Sequence, residues 1–170
     1  MKTKILFNCL SVIVLLQIFL WTSCASGTNI SFNGSEDIQY ENITVKNVKV
    51  TLDHTPESNL EEQIIRLSQN LLHAAQNKAQ DSAGKIRQGK QEGKVYLDIM
   101  VNQRSFLKGT SILNGIFFSL SFTDAQTGQQ IALINEYYQG KESAVSTFIQ
   151  EKFLKKAIQQ YFKAASEKAK

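Results

Sequence analysis

The clearest pattern along the chain is an alternation of period two, in which Val95, Leu97, Ile99 and Val101 interleave with Tyr96, Asp98, Met100 and Asn102. It predicts a half-buried strand. A second strand runs from about Gly115 to Thr123, with Phe118, Leu120 and Phe122 on one face and Phe117, Ser119 and Ser121 on the other. A third runs from Gln130 to Tyr138 and is joined to the second by Asp124-Ala-Gln-Thr-Gly128. There the aspartate can close an Asx-turn and the glycine can take positive φ, which predicts a hairpin. Between the first two strands, residues 107–115 read as a loop in which Ile112 and Leu113 are unusually apolar. An earlier strand covers Ile43 to Leu52. Its apolar positions change parity between Val45 and Val48, so a bulge or a strand break near Lys46-Asn47 is expected to return both sets to the core face.

Two segments follow helical spacing instead. Leu60, Ile64, Leu67, Leu71 and Ala75 form one apolar stripe, entered through Ser58-Asn-Leu-Glu61, a capping box. His73 lies at the boundary of that stripe. Leu154, Ala157, Ile158, Tyr161, Phe162 and Ala165 form a second stripe on a helix from about Ser143 to Ala165. The lysines near its end suit a helix C-terminus through the macrodipole better than they suit a basic binding patch. The resulting order is β-α-β-β-β-α, an α+β class with a single mixed or antiparallel sheet and both helices packed on one face.

The first 24 residues are of another kind: Lys2 and Lys4, an uncharged apolar run from Ile5 to Leu20, then Trp21-Thr22-Ser23-Cys24. This resembles a bacterial lipoprotein signal. Trp21 departs from the branched aliphatic residue that family prefers three places before its cysteine. The resemblance implies cleavage before Cys24, diacylation of its sulfur with palmitate-type chains, and a lipid anchor in the cell envelope. Ala25 in place of aspartate permits export to the outer membrane, with a periplasmic or surface face. An uncleaved anchor fits less well, because Asn8, Ser11 and Gln17 interrupt a run shorter than the roughly 20 apolar residues of a span. A plain secretory signal would leave Cys24 without a purpose. The domain plan is therefore a signal over 1–23, a lipidated flexible tether over 24–42, rich in Gly, Ser and Asn, and one α+β domain over 43–170.

Charge adds little. The chain has 19 basic and 15 acidic residues, and two of the lysines leave with the signal, so no nucleic-acid partner is implied. With Cys9 discarded and Cys24 acylated, no thiol remains for a disulfide or for catalysis.

The capped helix, the stretch from Lys108-Gly109 to Gly115, and the Asp124-to-Gly128 hairpin followed by Ile131 to Tyr138 resemble the small α+β domains of bacterial envelope lipoproteins. These domains are related to the curli-secretion lipoprotein and to the outer-membrane lipoprotein activators of penicillin-binding proteins. The resemblance covers about residues 43–165 and implies a fold class, with no site residue carried across.

Catalytic chemistry is thinly signalled. Gly84-Lys-Ile-Arg-Gln-Gly89-Lys90-Gln91 imitates a phosphate-binding loop, but it follows a helix, precedes a strand and lacks the Ser or Thr that holds magnesium. His54 and His73 are the two histidines, no activated serine motif occurs, and neither a metal nor another cofactor is expected. The expected function is a non-enzymatic, membrane-anchored module that binds another envelope protein, with Ile112, Leu113, Tyr137 and Tyr138 as candidate contacts. The alternative is a carrier or sensor of an apolar ligand, with Tyr96, Met100 and Phe117 lining a pocket if the second sheet face is covered. A cell-wall hydrolase ranks third.

Overall fold

The computed structural model describes residues 28–34, 38–53, 59–82 and 91–168. The expected lipidation site Cys24, His54, Ser58 and most of the phosphate-loop-like segment lie outside these residues. Five strands, β1 (Thr28–Phe32), β2 (Ile38–Thr51), β3 (Gln91–Lys108), β4 (Ser111–Asp124) and β5 (Gln130–Gly140), form one sheet of order β1-β5-β4-β3-β2. Helix α1 (Leu60–Ser82) connects the parallel neighbours β2 and β3, and α2 (Thr147–Lys168) follows β5. All other pairings are antiparallel, which makes the sheet mixed.

Alternation decides which face the helices cover. Val95, Leu97, Ile99 and Val101 of β3, and Ile116, Phe118, Leu120 and Phe122 of β4, are buried on one face. Ala132 and Ile134 of β5 join them. Helix α2 supplies Ile149, Phe153, Leu154, Ala157, Ile158 and Tyr161, also buried. Phe118 stacks on Phe153 with centroids 5.3 Å apart, and Phe122 on Tyr161 at 4.0 Å. The two helices also touch each other, so both lie on the same side of the sheet. On α1 the buried positions are Leu60, Ile64, Ser68 and Leu72, while Leu67, Leu71 and Ala75 pack at the margin. The stripe is therefore turned slightly from the one its leucines mark.

The expected bulge in β2 is present, as a register shift between Val45 and Asn47 that keeps Val45 opposite Leu97 and Val48 opposite Ile99. At the β4–β5 turn, Gly128 has φ of 71° and the Asp124 carboxylate accepts from the amides of Gln126 (2.7 Å) and Thr127 (3.0 Å). Burial pushes the Asp124 carboxyl up, but those two amides, with the hydroxyls of Thr127 and Tyr40, outweigh it. Its pKa lies below the usual carboxylate value. Glu61 serves a partner other than the one the capping motif assigns: its Oε1 accepts from the Val50 amide of β2 at 3.1 Å.

Two expectations are corrected. Residues 28–32 and 38–42 of the expected tether belong to the sheet, with Ile30 opposite Ile134 and Phe32 opposite Ala132. Phe32 finds its core partner in the edge of the Tyr161 ring at 5.8 Å, a contact across 129 residues that composition cannot reveal. The apparent loop over 107–115 is also strand. Gly109, with φ of 62°, opens a two-residue turn with Thr110, and Lys108 pairs with Ser111 across it. Glycine first in such a turn matches the strand twist, so the ladder runs on to the tip.

The connection from β5 to α2 is held by polar side chains. Gln103 Oε1 accepts from the Ala144 amide (2.6 Å) and the Ser143 hydroxyl (2.9 Å). Asn114 Nδ2 donates to the carbonyls of Lys141 and Glu142, and Gln150 Nε2 to that of Ala144 at 2.8 Å. Buried carbonyls and amides of an irregular segment are satisfied this way.

Candidate interaction surface

The second face of the sheet carries no helix among the described residues. Because successive strand residues point to opposite sides, this open face presents Tyr96, Met100, Asn102, Arg104 and Phe106 from β3. Leu113, Gly115, Phe117 and Ser119 come from β4, and Asn135, Tyr137 and Gln139 from β5. Phe117 is directly opposite both Asn102 and Tyr137, and Phe106 is opposite Leu113. Gly115 lies between them. A Cβ there would stand 3.0 Å from Tyr137 Oη and 3.4 Å from Phe106 Cε1, so the missing side chain lets both rings close over the backbone. The result is an open concavity of about 500 Å³, lined by Thr51, Asn102, Gln103, Arg104, Phe106, Gly115, Phe117 and Tyr137.

Cations border this face. Lys46 lies over the Tyr96 ring at 5.0 Å and Lys94 over the same ring at 5.8 Å. Lys49 is opposite Met100. Asp98 and the exposed Glu92 are acidic residues of the same face; Asp98 accepts from Asn47 Nδ2 at 2.5 Å. With Arg104 in the concavity, the face combines aromatic carbon with positive charge.

The candidates named from sequence are divided by this geometry. Leu113 and Tyr137 lie on the open face near Phe117, whereas Tyr138 points to the helix side. There its ring meets the edge of Phe153 at 5.8 Å and its hydroxyl donates to Glu142. Ile112 is on the helix side of the β3–β4 turn, beyond the cover of the helices and 68% exposed. Of the three pocket candidates, Phe117 lines the concavity, while Tyr96 and Met100 lie further along the same face. His73 is exposed, 3.3 Å from Asn77. Sequence reasoning missed Arg104, Phe106 and Leu107. Continuing the alternation of Val95 to Val101 through Gln103 and Ser105 to Leu107 would have found them.

No family model matches this chain, and no curated protein is similar to it in sequence. Among solved structures it is similar to the PelC dodecamer from Paraburkholderia phytofirmans, at 12% identity and a TM-score of 0.49, over 79% of this chain and 95% of that one. It is also similar to the lipoprotein GNA1162 from Neisseria meningitidis, at 10% identity and 0.33, over 68% and 96%. A PDZ domain protein from Parabacteroides distasonis matches at 9% identity and 0.37, over 81% of this chain and 35% of that one. Identities of this size carry no activity across, and scores below 0.5 leave even the relation of folds loose.

Proposed function

We propose that this protein is a non-enzymatic, lipid-anchored module of the bacterial envelope that binds an acidic, partly apolar surface of another envelope protein through the open face of its sheet. The observation that carries this is the gathering of Phe106, Phe117 and Tyr137 around Gly115 on a face edged by Lys46, Lys49, Lys94 and Arg104. Aromatic and arginine side chains supply most of the energy of protein interfaces, and a net positive border steers and orients an acidic partner. The lipid on Cys24 raises the effective concentration of partners on the same membrane, so a modest interface suffices. An aromatic floor open to water suits a protein surface better than a retained apolar ligand, which needs enclosure.

Photo-crosslinking in the native membrane tests the reading. A photoreactive residue at Phe117 or Tyr137 is expected to give a discrete product, absent from Lys163 on α2, whose partner peptide maps to an acidic stretch. Lys46→Glu with Lys49→Glu should reduce its yield. Equal products from Phe117 and Lys163, or a yield indifferent to the charge reversal, refute it. Intact mass of the membrane-extracted protein tests the anchor, which requires acyl mass on a chain beginning at Cys24.

A further inference from the structure

The three most exposed large apolar side chains among the described residues are Leu107 (72%), Ile112 (68%) and Phe148 (67%), and all three lie at one end of the molecule. Leu107 and Ile112 are a cross-strand pair. They sit just short of the β3–β4 turn, on an arm that projects past the last pairing of β4 with β5 at Asn114–Gly140 and of β3 with β2 at Asn102–Thr51. Phe148 is in the first turn of α2, reached from the same end of β5 through the connection that Gln103 and Asn114 hold.

The direction of β1 aims its first residue, Thr28, toward the same end. Thr28 is opposite Glu136 and Phe32 opposite Ala132, so going backward from Thr28 the chain leaves the sheet toward Gly140 and the arm. Thr28 is level with Phe118, six residues along β4 from Ile112, a distance of about 20 Å at ~3.3 Å per residue. Cys24 precedes Thr28 by four residues, which span at most about 14 Å. At full extension those residues let a lipid on Cys24 come within about 6 Å of the height of Ile112, so an anchor there can hold the arm's tip at the bilayer surface. The lateral offset is small, since β1 and β4 are separated only by β5, about 10 Å.

We infer that this end is a second membrane contact, in which Leu107, Ile112 and Phe148 dip into the headgroup region of the bilayer that carries the lipid anchor. The inference rests on the anchor proposed above. Lys108, at the turn, has the long stem that lets an ammonium reach lipid phosphates while Leu107 and Ile112 face the acyl boundary. The contact fixes how the domain stands: the strands rise from the membrane, and the open face is presented sideways to partners on the same surface.

The test uses full-length protein extracted from membranes and reconstituted into vesicles of phosphatidylethanolamine and phosphatidylglycerol, with or without brominated acyl chains. Trp21 is the chain's one tryptophan and leaves with the signal, so the chain beginning at Cys24 carries a single indole, placed by Ile112→Trp, Phe148→Trp or, as a control, Lys163→Trp. Lys163 lies 16 residues along α2 from Thr147, about 24 Å from the arm's end. Emission from positions 112 and 148 is expected to shift to the blue and to lose roughly half its intensity to brominated lipid, as for side chains ~5–10 Å inside the headgroup boundary. Position 163 is expected to remain solvent-like. An unquenched indole at 112 in vesicle-bound protein overturns the contact, and so does a blue shift without quenching, which means a second copy covers the tip. Absence of acyl mass overturns the anchor alone, because the quenching still reports where the arm lies. Protein that does not stay on vesicles overturns both.

Discussion

Tyr161 is the residue through which the core holds the N-terminal strands, and truncating it predicts a specific failure. Its ring stacks on Phe122 at 4.0 Å, receives the edge of Phe32 at 5.8 Å, and its hydroxyl donates to the Tyr40 carbonyl at 2.9 Å. The side chain is fully buried. Tyr161→Ala removes a whole aromatic ring from a packed interior, a change that costs about 3–5 kcal/mol. Tyr161→Phe keeps the ring and removes only the donor to Tyr40, at about 1 kcal/mol. For a domain of this size each kcal/mol lowers Tm by about 3 °C, so the alanine variant should melt roughly 10 °C or more below the parent and the phenylalanine variant only a few degrees below. Thermal melts followed by circular dichroism give the ranking, and hydrogen exchange gives the location. Amides of β1 should lose more protection than those of β4, because β1 is an edge strand whose Phe32 leans on this ring. Equal Tm values for the two variants, or uniform loss of protection across the sheet, refute this account.

Three further outcomes follow from the same geometry. Asp124 has a lowered pKa when folded, so its contribution is present above the ordinary carboxylate range and is lost as pH falls through the folded value. Asp124→Asn should destabilise near neutral pH, and its melting difference from the parent should shrink on acidification below about pH 4. Gly109→Ala meets no atom within 4 Å, yet it places a Cβ at φ of 62°, so denaturant melts should show a loss of about 1 kcal/mol from backbone conformation alone. The half-exposed Lys156 donates from Nζ to the carboxylate of the buried Glu136 at 2.9 Å; Lys156→Met should cost about 1–2 kcal/mol in the same melts, and a loss of about 4 kcal/mol or more would refute that reading of the pair.

The legible parts of the fold were those in which neighbouring residues decide the outcome. Val95 to Val101, Phe118 to Phe122 and the Asp124-to-Gly128 turn carry their period and turn chemistry locally, and the bulge at Lys46-Asn47 shows as a change of parity. Thr28–Phe32 was not legible, since five residues with two large apolar side chains become a strand only because β5 offers an edge and Tyr161 a ring. The arm at 106–113 is hidden for a related reason: Phe106, Leu107, Ile112 and Leu113 have apolar side chains where a hairpin tip is usually polar, and alternation on two paired strands has the look of a loop when read along one line. For the candidate surface, the sequence marks Phe117 as a pocket residue and Tyr137 as a partner contact, with nothing to join them. Their adjacency exists only once β4 and β5 are in register.

The outer strand β2 has a consequence for crowding. On the lipid anchor proposed above, copies of this protein would meet at high surface density, and an unpaired strand edge under those conditions is a template for sheet-to-sheet aggregation. This edge is broken in two places by register shifts, carries Lys46 and Lys49, and has the Val50 amide occupied by Glu61. The opposite edge, β1, is only five residues long. A second molecule arriving side-on finds no continuous run of open donors and acceptors along either edge, so copies brought close together, as that anchor would bring them, are kept from fusing their sheets.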